Sequence, residues 1–151
     1  MPGTHTATAA AVTDGANRLA RLRMSSLGVV TMLILEFILG MIYNLYGTAP
    51  TAKKSIGLFS SPVLALHVIL AILLVIAAVM QLIRAIGVRH RVAVWLSAVG
   101  LIGILAAGFA GLGFTGNGAA GASLGMSLAF AVSLACYVVL IFTLAPVDYV
   151  K

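Results

Sequence analysis

The run from Thr31 to Tyr46 is apolar over almost its whole length and carries one carboxylate, Glu36, near its middle. Such a run reads as a bilayer span, where a carboxylate at mid-depth costs roughly 2.5 to 3.5 kcal/mol on insertion scales. The acid is tolerated only where it faces protein or water, so the remaining apolar segments have to shelter it. Composition agrees, with 62% of residues hydrophobic and 8% charged, against about a quarter charged in soluble domains. The chain reads as an all-α integral membrane protein.

Apolar runs and turn residues divide it into four spans, about 27–46, 63–86, 92–114 and 121–144, inside a transmembrane domain of residues 24–146. Residues 1–23 hold no sustained apolar pattern and read as a disordered or interfacial segment, in which Asp14 is placed to cap a short helical lead-in. A cleaved signal peptide is set aside, because the first run is too long for one and contains Glu36. Tyr43, Asn44, Tyr46 and Gly47 form an interfacial rim at its end. Ile56, Leu58 and Phe59 predict that the linker lies back on the bundle, and Ser61 and Pro62 read as N-cap and first-turn residue of the second helix.

The second helix presents His67, Ala71, Leu74, Ala78, Gln81 and Ala85 at helical spacing, which predicts its protein-facing stripe. The third carries Gly100, Gly103, Ala107 and Gly111 at intervals of three and four, a pattern that lets backbones approach closely. Gly116 to Gly121 matches the letters of a dinucleotide-binding fingerprint, but a membrane helix precedes it where a strand is required, so it reads as a turn. Pro146 closes the fourth span, and residues 147–151 form a short tail.

The formal net charge of +6 is distributed by position. Arg18, Arg21, Arg23, Arg84, Arg89, Arg91 and Lys151 fall on one side of the four spans, and Lys53 and Lys54 on the other. Basic loops stay in the cytoplasm, so the expected architecture is an antiparallel, up-down-up-down four-transmembrane-helix bundle with both termini cytoplasmic, as in a multi-pass protein of a bacterial cytoplasmic membrane. The six arginines are expected to contact headgroups, and no basic stripe with interleaved aromatics suggests nucleic acid. Cys136 has no second cysteine to pair with.

Glu36 shares a helix side with Gly40, Tyr43 and Gly47. The spans supply no cation at its depth, so a neutral carboxyl is expected, either exchanging protons or bonding Ser97, Ser133 or a backbone carbonyl as a packing contact. His67 enters its span about 8 to 9 Å outward of Glu36 on an ideal-helix count, beyond direct contact. A chain of Glu36, water, Tyr43 or Asn44 and His67 then forms a candidate proton or cation site opening to the outer face. No cofactor or metal site is predicted. A minor alternative is haem b with His67 and Met126 as axial ligands, or Cu(I) held by His67, Met41 and Met126.

Four short spans with an acid in the middle of the first resemble the small multidrug resistance transporters, in which that glutamate exchanges protons for cationic drugs. The resemblance rests on Glu36 and the span count, and implies a proton-coupled, homo-oligomeric transporter. The alternative is a non-catalytic accessory subunit of a larger membrane complex, for example a respiratory one, docked through the Gly-rich third helix and interfacial aromatics. No nucleophile and base lie at one level, which disfavours an enzyme.

Overall fold

The computed structural model describes residues 4–48, 50–51 and 53–145, with side chains from residue 13 onward. It is all-helical: α1 spans Thr4–Tyr46, α2 Pro62–Val88, α3 Arg91–Asn117 and α4 Ala120–Thr143. All four are long and apolar enough to cross a membrane. The expectations for Pro146 and the tail lie outside the described residues.

The expectation of a disordered start is corrected from Thr4 onward, because α1 runs unbroken from there into the first span. Alanine is the strongest helix former, and a helix already nucleated extends residue by residue at little cost, so an Ala-rich lead-in propagates without needing an apolar face. Asp14 lies within α1 rather than capping it, and pairs with Arg18 one turn on, at 2.8 Å.

The other helix ends follow local chemistry. Ser61 accepts from the Leu64 N–H at 3.2 Å and Pro62 opens α2. The α2–α3 connection is two residues long: Arg89 takes the left-handed conformation at φ 57, and His90 caps α3 by accepting from the Ala93 N–H through Nδ1 at 3.2 Å. His90 thus has a capping role. Gly118 closes α3 at φ 68, and a Cβ there would stand 2.5 Å from the Pro50 carbonyl oxygen. The linker does lie back on the bundle: Pro50 is buried, and the Ile56 N–H donates to the Thr115 carbonyl at 3.0 Å.

Each helix packs on two others, α1 on α2 and α4, and α3 on α2 and α4. Leu22, Val29, Val30 and Leu33 of α1 meet Leu74, Ala78 and Ala85 of α2, Ala93 and Ile104 of α3, and Tyr137 and Leu140 of α4 in one buried cluster. The α2 stripe read from sequence faces this core, with Leu74, Ala78, Gln81 and Ala85 buried and His67 and Ala71 half-buried. Outward, the helices present Ile72, Ile102, Phe109 and Phe142, all more than half exposed. Such a surface suits lipid rather than water.

Without a hydrophobic drive between helices in lipid, close packing holds a bundle together. The glycines of α3 supply it. A Cβ on Gly100 would lie 2.6 Å from the Tyr137 ring, and one on Gly103 would collide with the Ser133 hydroxyl. Gly108 has nothing within 4 Å. Gly100→Ala is therefore expected to destabilise the protein by about 1 to 3 kcal/mol, and Gly108→Ala to change it by less than about 0.5 kcal/mol. Thermal melting in detergent measures both; equal effects would refute the packing argument.

Candidate functional site

Glu36 and His67 are in direct contact. Oε2 of Glu36 lies 2.5 Å from Nδ1 of His67, and the side chains are 7% and 27% exposed. Both atoms are buried, and neither has a hydrogen-bond partner outside the pair. The sequence-based expectation that the two stand too far apart to touch, and that no basic group reaches the acid, is corrected.

The error lies in the relative depth of α1 and α2. Tyr43 and Tyr46 of α1 line one groove together with Ser60 and Ser61, so the last turn of α1 stands beside the residues that lead into α2. Counting inward from Ser61, His67 comes about level with the residues just after Glu36, and the remaining offset of about one helical turn is within reach of the two side chains. Gly40 completes the fit. A Cβ on it would lie 3.4 Å from Cε1 of His67, an ordinary contact distance, so the imidazole lies against this face of α1. Gly40, four residues after Glu36, was the sequence signal for this contact.

A carboxylate oxygen and a ring nitrogen approach this closely only when a proton lies between them. Two arrangements keep the pair neutral overall: carboxyl with imidazole, or carboxylate with imidazolium. Either costs less in a low-dielectric interior than a lone charge. Because Nδ1 is buried, the exposed part of His67 is the rest of its ring. Beside the pair, Phe37 stacks on Phe130 with ring centroids 5.4 Å apart, bracing α1 against α4.

The other candidates are placed elsewhere. Tyr43 turns to the linker and donates to the Thr48 carbonyl at 3.2 Å, and Asn44 is exposed. Ser133 donates to the Ala129 carbonyl at 2.8 Å, so it is not a partner of Glu36. Met126 sets its sulfur beside Gly111, and Met41 is exposed. No group of three His, Cys, Asp or Glu that could hold a metal lies among the described residues. Of the arginines, Arg18, Arg21 and Arg84 line one groove between α1 and α2, while Arg89 caps α2 and Arg91 opens α3.

A second polar station, which sequence reasoning did not single out as a site, lies toward this basic end. Gln81 donates to Ser26 Oγ at 2.6 Å and to the Leu22 carbonyl at 3.3 Å, and Ser26 donates to that same carbonyl at 3.0 Å. Gln81 Oε1 and Ser97 Oγ are buried without a partner among the described residues. Between this station and Glu36 lie Val29, Val30, Leu33, Leu74 and Ala78, all buried. Ten residues of α1 separate Ser26 from Glu36, about 15 Å of apolar core.

Comparison with family models, with curated proteins and with solved structures finds no match. The pair makes its own prediction: Glu36→Leu or His67→Leu alone leaves a buried polar partner and is expected to cost about 2 to 4 kcal/mol, whereas the double substitution costs less than the sum by at least about 1 kcal/mol. Unfolding of the four proteins in detergent closes the cycle. Strict additivity would mean that the two side chains do not interact.

Proposed function

We propose that this protein is a small multi-pass membrane protein that exchanges protons through the Glu36–His67 pair, in the manner of a proton-coupled transporter. The observation that carries the reading is the 2.5 Å contact of a carboxyl and an imidazole, both able to take and release protons, within a candidate membrane span. The topology proposed is up-down-up-down with both termini cytoplasmic. Two contact pairs support it for α1 and α2, Ser26 with Gln81 and Glu36 with His67, since position rises along one helix as it falls along the other. Arg84 beside Arg18 and Arg21, with Arg89 and Arg91 following at the α2–α3 turn, against Lys53 and Lys54 in the linker, supports the cytoplasmic side.

His67 lies five residues into α2 from the linker end, while apolar core closes the other side. Protons therefore enter and leave the pair from the linker side in this conformation. The accessory-subunit reading leaned on the glycines of α3 as a docking face. Gly100, Gly103 and Gly111 instead face Tyr137, Ser133 and Met126 of α4, so that surface is used within the chain.

The test is proton flux into vesicles containing the purified protein and a trapped pH-sensitive dye, under an imposed potential. Glu36→Gln and His67→Asn, each checked for native helix content and a single elution peak, are expected to lower flux by about a hundredfold, the usual share of a positioned proton-transfer group. Wild-type flux in a folded Glu36→Gln protein would end the proton-exchange reading.

A further inference from the structure

At the end of the molecule opposite the linker, an open groove of about 610 Å³ runs between α1 and α2, lined by Arg18, Arg21 and Arg84. We propose that this groove binds the phosphodiester headgroup of an anionic lipid. The proposal rests on the chain lying in a bilayer and does not depend on proton exchange at Glu36.

Arg18 is partly engaged by Asp14, an exposed pair at 2.8 Å. Among the described residues no acid pairs with Arg21 or Arg84. Arg84 is held in place by its Nη1 donating to Ser25 Oγ at 2.6 Å, which leaves its other N–H groups to a ligand. A guanidinium fixed in this way offers parallel donors that match two phosphate oxygens. The remaining polar side chain of the lining, Ser25, is already engaged as the acceptor that holds Arg84.

The lining also distinguishes a lipid from a free phosphate. Leu22, Met24 and Val88 share the groove with the arginines. Met24 is 66% exposed, and Leu27, Ile83 and Ile86 continue the exposed apolar surface beside it. A headgroup seated on the arginines would run its acyl chains along that surface, whereas a lone phosphate would leave the apolar wall unused. Basic grooves between membrane helices near the headgroup level are the usual setting for such lipids.

The experiment is thermal melting of the full-length protein in neutral detergent, titrated with cardiolipin, phosphatidylglycerol, phosphatidylcholine and soluble pyrophosphate. Saturable stabilisation is expected with cardiolipin, weaker with phosphatidylglycerol and absent with phosphatidylcholine. Arg84→Gln and Arg21→Gln should each weaken the cardiolipin effect by about fivefold, while Arg89→Gln and Arg91→Gln, outside the groove, leave it unchanged. Arg21 is exposed and makes no hydrogen bond or ion pair among the described residues, so its variant keeps the test open if Arg84→Gln fails to fold. Equal weakening by Arg89→Gln, a response to phosphatidylcholine, or pyrophosphate binding as tightly as cardiolipin would each overturn the proposal.

Discussion

The buried contact between Glu36 and His67 is the constraint around which this bundle is arranged. Inserting the carboxyl into a span alone is costly, and the imidazole converts that cost into a neutral contact that ties α1 to α2. The arrangement needs α2 to begin beside the last turn of α1, so that a histidine near the start of one helix meets an acid ten residues from the end of the other. Gly40 faces the imidazole as well, where a Cβ would just reach van der Waals contact with the ring. The linker helps hold that offset: Tyr43 bonds Thr48, and Ile56 bonds Thr115 at the end of α3.

The helices themselves were legible in the sequence, because apolar runs bounded by Pro62, Gly118 and the Arg89–His90 pair leave little choice of where a span starts and stops. The inward stripe of α2 and the glycine seam of α3 were legible for the same reason, since periodicity reports which face is buried. The site was only half legible. Glu36, His67 and Gly40 could each be singled out, but whether they meet depends on how far one helix slides along the next. Sequence spacing contains no direct measure of that slide when the connection is a linker of fifteen residues, Gly47 to Ser61. The helical lead-in was illegible for a different reason: the apolar pattern marks burial, and an Ala-rich exposed segment can be helical without any.

The two halves of the bundle are held by different chemistry. Between α3 and α4 the fit is one of shape, with the Tyr137 ring against Gly100 and the Ser133 hydroxyl against Gly103. Tyr137 adds only a long bond to the Ser97 carbonyl at 3.5 Å. Between α1 and α2 the ties are polar at both ends: Glu36 with His67 near the linker, and Ser26 with Gln81 and Ser25 with Arg84 toward the other end. Small and branched apolar residues fill the interval.

That difference decides where a change of protonation would be felt. Shape packing does not depend on proton occupancy, so the α3–α4 seam stays the same whichever form the pair takes. The α1–α2 seam depends on it directly, because removing the shared proton brings a carboxylate oxygen and a bare ring nitrogen together in a low-dielectric setting. Two acceptors at that distance repel, and Gly40 leaves the imidazole without a side chain to trap it against α1. On the proton-exchange reading, the motion that follows is a separation of α1 from α2 at the linker end, hinged on the Ser26–Gln81 bonds, whose groups do not titrate. The apolar layer between the two stations then acts as the barrier to the far side, and a proton crosses only if that layer opens while the pair is loaded.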